Sequence, residues 1–225
     1  LIAEIVTALE RHGLPTATLQ TAGALAAGEA FALFVGPSGG VAARLSTGEG
    51  SGHHVDAAVV RDVVRGLSRM VARAGRRLPL DTELVRIVGT AELEIEGRSH
   101  GLAVAAALVS RALGHPPVRH AVAAACLGVD GCLRPVRGLP SKLAALRERW
   151  PDVVEVVAAP GQDDVHEIEA AGWKVRFAEH AAPALAFLGL DCLALPVDPS
   201  SLLDLELGRE APLESTDAYR ERASL

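Results

Sequence analysis

A mixed α and β interior, of α/β or α+β type, is the fold class this sequence predicts, and three observations carry the expectation. Alanine, valine, leucine and glycine dominate while aromatics make up only 3% of the 225 residues, which suits closely packed helices and strands better than an aromatic binding surface. Two apolar runs, AFALFV and VAARLS, are split by the cluster GPSGG within residues 30 to 47, a hairpin signal. Helix-period stretches follow at 55 to 76 and from Gly101 onward. A chain of this length holds one main domain with appendages, here 30–191, with a helical lead-in over 1–29 and an extension or linker over 192–225.

Each element has a local reason. Ile2, Ile5, Val6 and Leu9 share one helical face, and Gly13 stops that helix. Over 55 to 76, Val59, Val60, Val63, Val64, Leu67, Met70 and Val71 face inward, and Arg61, Arg65, Arg69 and Arg73 form an outward row that reads as a solvated face. ELVRIV reads as a strand, and AELEIE continues extended with Glu92, Glu94 and Glu96 on one side, as a solvated edge would. HAVAAACLGVDGCLRPV reads as strand, turn at Asp130-Gly131, and strand. A helix at 139 to 149 ends before Pro151, VVEVVAA is a short buried strand, and 163 to 171 and 180 to 189 are helical. The tail from Cys192, rich in Pro, Ser and acidic residues, reads as weakly ordered.

Several function classes lose their support at this level. A net charge of −6 offers no general attraction to nucleic acid or to anionic membrane, so neither is an expected partner. Cys126, Cys132 and Cys192 have no C-x-x-C pairing, and the neighbours His53 and His54 read as surface histidines, so no metal is expected. No phosphate loop, dinucleotide fingerprint or zinc-protease helix occurs, and no cofactor is expected. No stretch is apolar enough for a membrane span and no signal segment opens the chain, so a reducing cytoplasm is the expected location. The first residue, Leu1, suits an excerpt of a longer protein.

Two serines sit in glycine-bracketed turns. Ser38 in GPSGG lies at a hairpin tip, whereas Ser99 in GRSHG (97–101) stands between a strand and the apolar helix GLAVAAALVSRAL. GRSHG matches G-x-S-x-G in the strand–turn–helix context that a nucleophile requires, with helix-opening N–H groups to hold an oxyanion. A serine also needs a base. A hydrolase triad would draw on Asp163 or Asp164 with His166 or His180. A Ser–Lys enzyme would use Lys142, which stands in the first turn of an apolar helix among Leu139, Leu143, Ala144 and Leu146. Desolvation and the positive helix terminus both disfavour its charged form, which a general base must shed.

Residues 30 to 190 resemble the proteolytic domain of Lon proteases, of the S16 peptidase type. GRSHGLAVAAALVSRALGHPPVR resembles the family's serine segment, and GCLRPVRGLPSKLAAL its lysine segment. Ser99 and Lys142 fall on the family's catalytic serine and lysine, 43 residues apart as in the family. AFALFV, GPSGG and VAARLSTG resemble its first hairpin, and VVEVVAAPGQDDVHEI the strand and loop after its lysine helix. The resemblance implies an α+β Lon proteolytic fold, related to ribosomal protein S5 domain 2, and a homo-oligomeric serine endopeptidase acting on protein or peptide substrates. Lon feeds its site from an ATP-driven unfoldase, for which this chain has no room, so a fused or separate recognition domain would deliver substrate.

The sequence departs from the family at two places. His100 follows the serine where the family has a small residue, and Ala124, Ala125 and Cys126 replace the family's T-G-E. GVDGCLRPVRGLP also resembles the Lon-type domains of the RadA recombination and ComM competence proteins, which lack a working dyad. An oligomerisation or interaction scaffold is therefore the alternative reading.

Overall fold

A computed structural model describes residues 24–36, 39–48, 50–79, 85–88 and 98–199. The lead-in helix expected over 1 to 12, Ser38 and the AELEIE strand lie outside the described residues. What is described is a mixed α+β fold with several sheets.

The expected hairpin forms: β1 (Glu29–Gly36) pairs antiparallel with β2 (Gly39–Thr47), Glu29 opposite Ser46 and Gly36 opposite Gly39. The sheet is completed by β3 (His53–His54) and β4 (Val85–Val88), in the order β1-β2-β4-β3. Because successive side chains point to opposite faces, this sheet serves two cores. Ala30, Ala32, Phe34, Ala43, Leu45, Val85 and Ile87 belong to one, and Phe31, Leu33 and Ala42 to the other.

Two long helices pack into the first core. α1 (Ala57–Arg73) begins at Asp56, whose carboxylate accepts from the Ala58 N–H at 2.8 Å. It buries Val59, Val60, Val63, Leu67 and Val71 and leaves Arg61, Arg65, Arg69 and Arg73 exposed, as the sequence predicts. α2 (Gly101–Leu113) is buried at every residue from Gly101 to Ser110. A helix apolar all round has to be interior, and its alanines allow close approach to neighbours. Its one buried hydroxyl, Ser110 Oγ, accepts from the Gly28 N–H and donates to the His115 carbonyl.

The second core lies under α3 (Leu139–Arg149), with Leu139, Leu143 and Leu146 against Phe31, Leu33 and Trp150. Around it β5 (Ala121–Ala124), β8 (Glu155–Ala158) and β9 (Lys174–Phe177) form a parallel sheet in the order β5-β8-β9. α4 (Val165–Ala170) connects β8 to β9, and α5 (Ala181–Phe187) follows. The segment expected as one strand–turn–strand unit is divided. β5 joins the parallel sheet, while β6 (Cys126–Leu127) and β7 (Leu133–Arg134) make a separate two-stranded hairpin. The chain changes sheets at Ala125, whose carbonyl is taken by the Leu102 N–H.

The extension expected from residue 192 begins as a docked segment. Leu195 is fully buried, Arg76 Nη1 donates to its carbonyl at 3.1 Å, and the Arg77 N–H donates to Pro196 O at 3.0 Å. Among the described residues, no helix is long and apolar enough to cross a membrane.

Candidate active site

Ser99 lies half-buried on the turn that enters α2, as its glycine-bracketed sequence predicts. The turn is fastened on both sides. Arg98 pairs with Asp62 of α1, and Gly101 packs so closely on β6 that a Cβ there would stand 2.8 Å from the Leu127 nitrogen. Gly101 is therefore required by contact with a backbone, not by an unusual dihedral angle.

The helix-opening amides are only partly available to an oxyanion. Gly101 N–H donates to Arg98 O at 3.1 Å and Leu102 N–H to Ala125 O at 3.0 Å. Among the described residues no acceptor pairs with the amides of Ser99 and His100, so these two N–H groups are free to donate.

Lys142 is positioned from three directions. α3 starts after Gly138, a glycine at φ +63°, with Pro140 in its first turn. The loop before it is clamped by buried Gln162, whose Oε1 accepts from the Val136 N–H at 3.1 Å and whose Nε2 donates to the Val136 carbonyl at 2.7 Å. β2 presses on the helix from the sheet: a Cβ on Gly40 would lie 2.2 Å from the Ser141 carbonyl oxygen and 2.5 Å from the Lys142 nitrogen. The lysine side chain is held inside, 2% exposed, and it did not escape to the surface as a snorkelling residue would.

Burial pushes the Lys142 ammonium below the usual lysine range, with the Cys126 thiol opposing weakly. Among the described residues the Lys142 side chain has no hydrogen bond and no ion pair. A buried amine without a counter-ion favours its neutral form, the one that accepts a proton.

Next to Ser99 in the chain stands His100, whose titration feels the charge of Lys142. This imidazole is 2% exposed, packs on Phe34 with ring centroids 5.2 Å apart, and has both ring nitrogens buried without a partner. Burial, reinforced by the Lys142 charge, lowers its pKa from 6.5 to about 4, so it is neutral at physiological pH. Cys126, half-buried, also interacts electrostatically with Lys142, and burial raises its thiol. Neither hydroxyl nor carboxylate stands where the T-G-E would be, and among the described residues no hydrogen bond joins Ser99 to Lys142.

The sequence marked His100 and Cys126 only as departures; that both feel the charge of Lys142 emerges only in the folded chain, where β6 packs beside α2. Among the described residues none of the triad alternatives, Asp163, Asp164, His166 or His180, is hydrogen-bonded to Ser99. His166 and Asp163 are exposed around α4, and His180 Nδ1 lies 3.6 Å from Cys132 Sγ. A groove of about 520 Å³ runs along the other side of α3, between Leu143, Arg147, Ile168 and Trp173, and neither Ser99 nor Lys142 lines it. Among the described residues no group of three or more His, Cys, Asp or Glu side chains is arranged to hold a metal ion.

No model of a known protein family matches this chain, and no curated protein matches it.

Proposed function

We propose that this protein is a serine endopeptidase of Lon type, with the Lon proteolytic fold, in which Ser99 is the nucleophile and Lys142 the base. The observation that carries the reading is the state of Lys142: an almost fully buried amine, free of any counter-ion among the described residues, with its proton affinity lowered by desolvation. Its charge acts on His100, the residue after Ser99, which supports a shared electrostatic environment.

In this mechanism Ser99 Oγ attacks a peptide carbonyl as its proton passes to neutral Lys142 Nζ. The amides of Ser99 and His100 take the charge that develops on the carbonyl oxygen. The C–N bond breaks as Lys142 returns the proton to the leaving amine, leaving an ester on Ser99, and a water molecule activated by Lys142 hydrolyses that ester. Substrates are flexible protein or peptide segments, delivered by another domain or partner, and the working form is a cytoplasmic homo-oligomer.

The replacement of T-G-E by Ala124, Ala125 and Cys126 favours the second reading, a scaffold of the RadA and ComM kind that binds without cleaving. Incubation of wild type, Ser99→Ala, Lys142→Ala and His166→Ala proteins with an unfolded protein separates the two. Cleavage lost in the Ser99 and Lys142 variants and kept in His166→Ala is the expected result. Loss in only the Ser99 and His166 variants would support a triad, and no cleavage by any form would support the scaffold.

A further inference from the structure

The parallel sheet ends in an open edge. β9 pairs with β8 on one side, and among the described residues no strand lies on its other side. The N–H groups of Lys174 and Ala178 donate to Val154 O and Ala158 O, each at 3.0 Å. Successive amides of a strand point to opposite sides, so the N–H and C=O groups of Val175 and Phe177 point outward as the unfilled half of a ladder.

The two faces of this edge differ in chemistry. Lys174 and Arg176 share one face, where Lys174 Nζ lies 3.6 Å and Arg176 Nε 2.8 Å from the carboxylate of Glu155. Two cations share one carboxylate, so the three together stay positive. Val175 and Phe177 take the other face, and Phe177 is 44% exposed. Charge alone keeps an edge strand from pairing at random; an exposed phenylalanine beside it points to a cover.

The chain carries a segment with the matching pattern. LDLEL, residues 203–207, alternates strictly between apolar and acidic positions, which is the period of a strand. Laid along β9, it puts Asp204 and Glu206 on the face of Lys174 and Arg176, and its leucines on the face of Val175 and Phe177. Opposite charges and apolar pairs on neighbouring strands both stabilise a sheet. The segment also starts from the right layer. Cys192–Ala194 packs on α5, whose Phe187 ring lies 5.5 Å from the Arg176 guanidinium. The described residues end at Pro199, and Leu203 is four residues further, a reach of roughly 13 Å. AELEIE alternates in the same way, but it joins β4 to Arg98, which is paired with Asp62 of α1, so other elements anchor both its ends.

We propose that residues 203–207 of this chain add to the free edge of β9 as a fourth strand, with Asp204 and Glu206 beside Lys174 and Arg176. The inference does not rest on the peptidase reading, since none of these residues belongs to that site.

The test is amide hydrogen exchange of the full chain, followed by NMR at β9. The Val175 and Phe177 amides should exchange at least about tenfold more slowly in wild type than in the double variant Asp204→Lys, Glu206→Lys, which reverses the acidic face without touching the described fold. The Lys174 and Ala178 amides, bonded to β8, should keep their rates and report that the sheet is intact. Adding Lys174→Glu to the double variant should return part of the protection, and if it does not, the charge pairing falls and the proposal with it. Equal exchange of Val175 and Phe177 in wild type and the double variant overturns the proposal. Protection that grows with protein concentration also overturns it, because the added strand would then come from a second copy.

Discussion

Lys142 and Arg86 are both buried cations, 2% and 4% exposed, and among the described residues neither has a carboxylate partner. Their chemistry separates them. Desolvation favours loss of the proton from lysine, whereas arginine keeps its charge whatever surrounds it. The same degree of burial therefore favours a neutral side chain in one place and a fixed, unpaired charge in the other. The side chain type decides which.

Exchanging the two head groups is the strongest way to break that comparison. Lys142→Arg keeps a cation at the head of α3 but cannot accept a proton, and it should lower cleavage by about 10³-fold or more, as loss of the base does in related nucleophilic enzymes. Lys142→Met should be equally inactive yet fold at least as stably, because an apolar side chain replaces a buried amine. Steady-state cleavage and thermal unfolding check the two halves separately.

His100 sharpens the comparison, since it too relieves burial by staying neutral. The unfolded chain takes up a proton on this imidazole near pH 6.5, and the folded chain only near pH 4. Between those values the unfolded state binds more protons, so stability falls as the pH is lowered from 6.5 to about 4, by about 3 kcal/mol in total. His100→Leu should flatten the denaturant-derived stability across that window. A parallel fall in both proteins would assign the acid sensitivity to other groups.

Backbone contact supplies a smaller effect. Gly40→Ala would drive a methyl into the Ser141 carbonyl at the start of α3. It should cost about 1–3 kcal/mol in equilibrium unfolding and reduce cleavage by displacing Lys142. Smallest is Arg98→Ala: its ion pair with Asp62 has Arg98 62% exposed, so removing it should change stability by less than about 1 kcal/mol.

Local pattern made the hairpin, α1, α2, α3 and β8 legible, because each has a strong period and a capping or turn residue. β3 and β9 escaped it. His53–His54 is two residues long and exposed, and Lys174–Phe177 is mostly exposed at the sheet edge, so neither has the apolar alternation that marks a strand. The division of residues 121 to 134 between two sheets escaped for another reason. It depends on the contact of Leu102 with Ala125, far apart in the chain. At the site, Ser99 was legible from its glycines and Lys142 from its apolar helix, yet Arg86 sits in an ordinary strand sequence, VRIV. Its isolation exists only where β2, β3 and β4 come together.

If a desolvated Lys142 activates Ser99, the reactivity of that hydroxyl reports it. The decisive quantity is the rate at which a serine-directed phosphonate labels the protein as a function of pH, with the modified residue located by mass spectrometry. Labelling is expected at Ser99, at a rate that rises with pH through a midpoint below the usual lysine value of 10.5, with no labelling in Lys142→Met. Labelling of Ser99 that proceeds unchanged in Lys142→Met, or none in the wild type at any pH, would contradict it.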